Sequence, residues 1–223
     1  MRAVIFDFDG VLVDSEVLHF RAQRDALRTA GVTIEKEEYY RYYLAFDDRG
    51  AIRIALERHG EPSDRDRVEA LARLKAERYA ELLPSVPFFA GARELVRTLA
   101  TAHPLAVASG ALHREIDAIL TAGGLRDAFT AIVGADDVAS TKPHPEPYLA
   151  AMKRLEARAP GLLAAECLAF EDSVPGIAAA RAAGMKVIAI TNSYPAAKLA
   201  TAHRVVDSLE GLTLAELRSL FAG

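Results

Sequence analysis

Short apolar runs alternate with amphipathic stretches along most of the chain. The runs 3–8, Leu105-Ala106-Val107-Ala108, Ala131-Ile132-Val133, Cys167-Leu168-Ala169-Phe170 and Lys186-Val187-Ile188-Ala189-Ile190 have the length and near-continuous apolar character of buried strands. Helical spacing fills the intervals at about 91–101, 112–122, 146–158 and 175–183, the first opening at Gly91 and the last closing before Gly184. A weaker strand is expected around Arg204-Val205-Val206 and a last helix from about 213. Strands apolar on both faces, each followed by a helix, predict parallel β-α units and a doubly wound α/β sheet covered on both sides.

Residues 15–86 break this rhythm. Their spacing is helical throughout: Ser15 to Ala30 ending at Gly31, a second helix around 35–45, a third from Asp48 to His59 ending at Gly60, and a long one from about 63 to 83. Pro84-Ser85-Val86-Pro87 then reads as a linker. A helical insert of this length greatly exceeds an ordinary crossover. The expected organisation is a discontinuous α/β core, 1–14 with 87–223, and a separate all-helical cap domain at 15–86, joined by hinges near 14–16 and 84–90.

Composition narrows the class. The 223 residues carry 27 Lys and Arg against 31 Asp and Glu, a net charge of −4, and 51% are hydrophobic, as in ordinary globular proteins. The single cysteine, Cys167, excludes an intramolecular disulfide framework or a Cys-based zinc cage and points to a reducing compartment. Intermixed charges with no Lys/Arg stripe argue against nucleic acid as a partner. The opening apolar run meets Asp7 and Asp9, which makes it too short and too acidic for a secretory signal. No stretch approaches the roughly 18 uninterrupted apolar residues of a membrane span. A cytoplasmic protein without a membrane partner is expected.

Open parallel sheets place their sites outside the carboxyl ends of the strands. Strand one ends in Asp7-Phe8-Asp9-Gly10, the second in Ser109-Gly110 and the fourth in Glu171-Asp172-Ser173; Thr141-Lys142-Pro143-His144-Pro145 follows the third. On extended chain, Asp7 and Asp9 would emerge on one face roughly 6–7 Å apart. One could then attack a phosphoryl group while the other, protonated, serves the departing oxygen. Taken singly, each motif has a plainer reading. Asp-x-Asp-Gly also makes turns and calcium-type loops, Ser109 would serve as a helix N-cap, Lys142 as a solvated loop lysine, and Glu171 with Asp172 as a capping pair. Together they bring complementary groups from four strands to one edge. Asp7, Asp9, Glu171 and Asp172 would oppose the single charge of Lys142, so the cluster must take up a cation or protonate a carboxyl. Hard oxygen ligands beside phosphate favour Mg²⁺.

These four segments resemble the motifs of the haloacid dehalogenase-like hydrolase superfamily, in its branch of phosphatases and β-phosphoglucomutases with a helical cap. The resemblance runs through Asp7-Phe8-Asp9-Gly10-Val11-Leu12-Val13-Asp14-Ser15, Val107-Ala108-Ser109-Gly110, Lys142-Pro143-His144-Pro145-Glu146-Pro147-Tyr148 and Phe170-Glu171-Asp172-Ser173-Val174-Pro175-Gly176, in order along nearly the whole chain. It implies a Rossmann-like core and a Mg²⁺-dependent phosphomonoester hydrolase acting on a small phosphorylated metabolite such as a sugar phosphate. By resemblance, Asp7 is the nucleophile that forms an aspartyl-phosphate. Asp9 is the acid/base and gives a backbone carbonyl to the metal, Ser109, Gly110 and Lys142 hold the phosphoryl group, and Asp172 with Glu171 completes the Mg²⁺ site. Dehalogenases of the superfamily lack the second acid, so Asp9 argues against carbon–halogen chemistry. Phosphonatases carry a cap lysine, and 15–35 contains none.

Two other readings are a sugar phosphomutase of the β-phosphoglucomutase kind and, outside enzymes, a phospho-accepting receiver, which runs to about half this length without a helical insert. For substrate contact in the cap, the resemblance offers His19, one turn past Ser15, and Arg49, although the sequence around Arg49 departs from the mutase pattern. Asp47 and Asp48 read equally as helix caps. The cluster Tyr39, Tyr40, Tyr42, Tyr43 and Phe46 reads as a packing face in preference to a ring pocket.

Overall fold

The computed structural model describes residues 1–222. It divides into two compact units, Ser15–Val86 and Met1–Asp14 with Pro87 onward.

The first unit is wholly helical: α1 Glu16–Arg28, α2 Lys36–Tyr42, α3 Asp48–Arg58 and α4 Arg65–Leu82. Its core is closed by Leu27, Val32, Ile34, Tyr39, Tyr43, Ile52, Leu56, Val68 and Leu71. Tyr39 and Tyr43 are buried there while Tyr40 and Phe46 are exposed, so the aromatic cluster divides between packing and surface. Asp47 and Asp64 accept backbone N–H bonds from Gly50 and Arg67 at 2.8 and 3.1 Å, fixing the starts of α3 and α4. Residues 83–85 form one tight turn after α4 where the sequence reads as linker.

The second unit is a six-stranded parallel sheet. Its strands are β1 Ala3–Phe6, β2 Leu105–Ala108, β3 Phe129–Val133, β4 Cys167–Glu171, β5 Lys186–Ile190 and β6 Arg204–Val206, in the order β3-β2-β1-β4-β5-β6. Helices α5 Ala92–Ala100, α6 His113–Ala122, α7 Glu146–Leu155, α8 Val174–Ala182 and α9 Leu214–Ser219 connect or flank them. Every residue of β1, β2 and β4 is buried, which is why these strands read as continuous apolar runs. On one face, Ala3, Ile5, Ala106, Ala108, Cys167 and Ala169 pack with Tyr148, Ala151 and Leu155 of α7 and Ile177 and Ala180 of α8. On the other, the Phe6 and Phe170 rings stack at 4.9 Å.

Strand one is shorter than its apolar run. It closes at Phe6, and the Phe8 carbonyl then accepts from the N–H groups of Leu12 and Val13 at 2.8 and 3.1 Å. Gly10, at φ +77°, makes this turn possible. Asp9 therefore lies past the strand, in an isolated bridge to Val13, and the pair is not carried on one continuous strand. The second helix, Lys36–Tyr42, is also shorter than its 35–45 pattern, although Tyr43 just past its end is buried in the core. Among the described residues no helix is long and apolar enough to cross a membrane.

Candidate active site

The strand order reverses between β1 and β4, the topological switch point at which open α/β sheets bind ligands. Asp7 follows β1, and its N–H donates to the Phe170 carbonyl of β4 at 2.9 Å, carrying the ladder one residue past the strand. The Phe6–Phe170 register thus sets Asp7 beside Glu171 and Asp172. One ligand oxygen from each of these three buried carboxylates lies within 4.8 Å of the others.

Lys142 arrives from the segment after β3. That segment is tied to the first turn of α7, where the Glu146 carboxylate accepts from the N–H groups of Ala139 and Ser140 at 2.8 and 3.0 Å. The Lys142 Nζ stands 2.8 Å from Asp7 Oδ1 and 2.6 Å from Glu171 Oε1, with its side chain only 12% exposed. It is not a solvated loop lysine. Burial opposes its charge, yet the Asp7 and Glu171 carboxylates outweigh burial and hold it above the usual lysine range.

Glu171 is fully buried and held by donors on both oxygens. Oε1 accepts from Lys142 and from the Tyr148 hydroxyl, each at 2.6 Å, and Oε2 accepts from the Asp172 and Ser173 N–H groups and the Ser173 hydroxyl at 3.0–3.3 Å. The N-cap of α8 is Ser173, which accepts from the Gly176 N–H at 3.1 Å, so the capping reading for Glu171 and Asp172 fails. Glycine is required at 176, where a Cβ would fall 1.9 Å from Glu171 Oε1.

Burial, with Glu171 and Asp172 adding like charge, holds the Asp7 carboxyl well above the carboxylate range against the pull of Lys142. Burial also pushes Asp172 up to about 6, against a hydrogen bond from Ser193. Three crowded carboxylates with one cation are short of positive charge. Their hard oxygens suit a Mg²⁺ ion, which needs few protein ligands.

Ser109, at the end of β2, is 3% exposed. Its N–H donates to the Val133 carbonyl at 3.0 Å and its hydroxyl accepts from the Ala111 N–H at 3.0 Å. It is not a helix cap, because α6 begins four residues later. Gly110 follows it on the surface.

The helical unit has its own polar cluster. Lys75 of α4 is 2% exposed, with Nζ at 2.7 Å from His19 Nδ1 and at 2.8 and 3.0 Å from the two Asp48 oxygens. The His19 ring stacks on Tyr79 at 4.2 Å. Burial and then the Lys75 charge lower the His19 pKa to about 4, opposed by Asp48. Asp48 pairs with Lys75 and does not cap its helix. Arg49 is exposed and holds Glu69 through two bonds of 2.6 and 3.1 Å.

Four participants were not read from the sequence. Lys75 continues the buried stripe Val68, Leu71, Ala72 at helical spacing, a pattern that flags a lysine on an apolar face. Tyr148 lies within the third motif. Asn192 and Ser193 follow β5, a strand end whose polar run was the available signal. The Asn192 side-chain amide donates to the Gly10 carbonyl at 2.7 Å, and the Ser193 hydroxyl donates to Asp172 Oδ2.

Comparison with known proteins identifies the family. The haloacid dehalogenase-like hydrolase model matches residues 4–190. Protein CbbY of Rhodobacter capsulatus is 35% identical over 204 residues, covering 87% of each chain. Hexitol phosphatase B of Escherichia coli (strain K12) is 32% identical over 199 residues, covering 84% of this chain and 82% of its own. A crystal structure of a provisionally assigned β-phosphoglucomutase from Thermotoga maritima superposes with a TM-score of 0.81 at 27% identity, covering 97% and 99% of the two chains. The chain belongs to the haloacid dehalogenase-like hydrolase family, in its group of phosphatases and β-phosphoglucomutases.

Proposed function

We propose that this protein is a Mg²⁺-dependent phosphomonoesterase acting on a small sugar phosphate or related polyol phosphate. The observation that carries the reading is the pairing of Lys142 with Asp7 and Glu171 at 2.8 and 2.6 Å inside a three-carboxylate cluster. The substrate class is supported by the hexitol phosphatase among the relatives.

In this mechanism an Asp7 oxygen attacks phosphorus while the bond from phosphorus to the alcohol oxygen breaks. Asp9 gives its proton to that oxygen. Asp9 next takes a proton from water, which attacks the phospho-aspartate, releases inorganic phosphate and restores Asp7. Lys142, Ser109 and the Gly110 main chain hold the phosphoryl oxygens, and Lys142 also favours the ionised form of Asp7 that the attack requires. Asp7, Asp172 and the Asp9 carbonyl would hold Mg²⁺, which supplies the positive charge that the carboxylates and the phosphoryl group need. Glu171 adds its charge to that site while its oxygens keep Lys142, Tyr148 and the 172–173 backbone in place. Substrate choice is assigned to the helical unit, with His19 and Arg49 as its readers.

The test is phosphate release from para-nitrophenyl phosphate and from a panel of hexose and hexitol phosphates, with Mg²⁺ and with EDTA. Activity is expected only with Mg²⁺, and Asp7→Asn should lose it by several orders of magnitude. Activity retained in Asp7→Asn defeats the nucleophile assignment, and net conversion of hexose 1-phosphate to the 6-phosphate in place of hydrolysis identifies the mutase alternative.

A further inference from the structure

The turn after β5 reaches two of the proposed metal-site loops at once. Ser193 donates its hydroxyl to Asp172 Oδ2, and its neighbour Asn192 donates to the Gly10 carbonyl at 2.7 Å, 182 positions away in sequence. Packing between the loops is tight. A Cβ on Gly10 would fall 1.8 Å from Asp172 Oδ2 and 3.0 Å from Ser193 Oγ, so Gly10, Asp172 and Ser193 are in direct apposition. The turn itself is anchored by the Thr191 N–H, which donates to the Val206 carbonyl at 3.1 Å, and by the Thr191 hydroxyl, which donates to Asp207 at 3.0 Å.

We infer that Ser193 and Asn192 are positioning residues for the cation site, Ser193 by fixing the plane of the Asp172 carboxylate and Asn192 by holding the Asp7–Gly10 turn against it. This rests on the proposed Mg²⁺ site and extends it to a fifth strand end. A carboxylate that ligates an ion gains affinity when its second oxygen is held by a hydrogen bond, and loss of such a partner typically weakens metal binding about 10- to 100-fold. A hydroxyl suits this role because it brings no charge to compete with the ion and donates along a single direction.

The test is Mg²⁺ affinity by isothermal titration calorimetry on full-length protein without substrate, for wild type, Ser193→Ala, Ser193→Thr and Asn192→Ala. Metal-free melting curves run in parallel. Ser193→Ala is expected to weaken Mg²⁺ binding about 10-fold or more with little change in the metal-free melt, and Ser193→Thr, which keeps the hydroxyl, to restore it. Asn192→Ala should show a smaller loss in the same direction. In the phosphatase assay the Mg²⁺ concentration for half-maximal rate should rise by the same factor, with kcat at saturating Mg²⁺ largely kept. Unchanged Mg²⁺ affinity in Ser193→Ala overturns the inference alone. Equal loss in Ser193→Ala and Ser193→Thr also overturns it, since the hydroxyl would then not matter. Absence of Mg²⁺ binding by the wild type overturns both the inference and the reading it rests on.

Discussion

Replacing Lys142 by methionine tests the charge arrangement most directly, because it removes the cation and keeps most of the side-chain volume. Two buried carboxylates lose a partner at once: Glu171, fully buried, at 2.6 Å, and Asp7, 11% exposed at its side chain, at 2.8 Å. Removing one partner of a buried ion pair costs about 3–5 kcal/mol, since an uncompensated charge remains in a low-dielectric setting. Without metal at pH 7, Lys142→Met is therefore expected to lie about 3–5 kcal/mol below wild type. The loss should depend on pH. With Lys142 gone, the Asp7 carboxyl, already held high by burial, rises further. An acid whose folded pKa is raised holds its proton in the native state after the unfolded chain has lost it, so stability falls as pH rises from the ordinary carboxylate range toward the folded value. The gap between variant and wild type should be narrower near pH 4 than at pH 7. Urea unfolding followed by far-UV circular dichroism measures it, a suitable probe for a chain without tryptophan. A variant within about 1 kcal/mol of wild type at pH 7, the value of a surface pair, would refute the buried-pair reasoning.

The helical unit offers a second pH effect. His19, with its pKa lowered to about 4, should cost stability as pH falls from about 6.5 toward 4, because the unfolded chain takes up the proton first; the full effect is at most about 3 kcal/mol. Melting temperatures at pH 7 and 4.5 for wild type and His19→Asn check this, and an equal decline in both contradicts it. Gly176→Ala should displace the Glu171 carboxylate, given the 1.9 Å approach of the added Cβ, and cost about 1–3 kcal/mol with a fall in phosphate release. Wild-type melting and activity in that variant would contradict the contact.

The apolar runs determined the sheet, because residues that must be buried on both faces permit little besides a strand in a covered parallel layer. The strand-end motifs likewise flagged Asp7, Lys142, Glu171 and Asp172, which packing of β1, β4 and the segment after β3 brings together. Pattern alone overran β1 by two residues: Phe8 is as apolar as Phe6, and only the turn closed by the Phe8 carbonyl and Gly10 takes Asp9 off the strand. Nor did spacing indicate that Lys142 and Tyr148 both reach Glu171 Oε1, that Lys75 meets His19 and Asp48, or that Asn192 and Ser193 reach Gly10 and Asp172. Those contacts join positions far apart in sequence. Periodicity registers which face of an element is buried, but hydrogen bonds and ion pairs depend on distances of about 3 Å that are fixed only when separate elements pack.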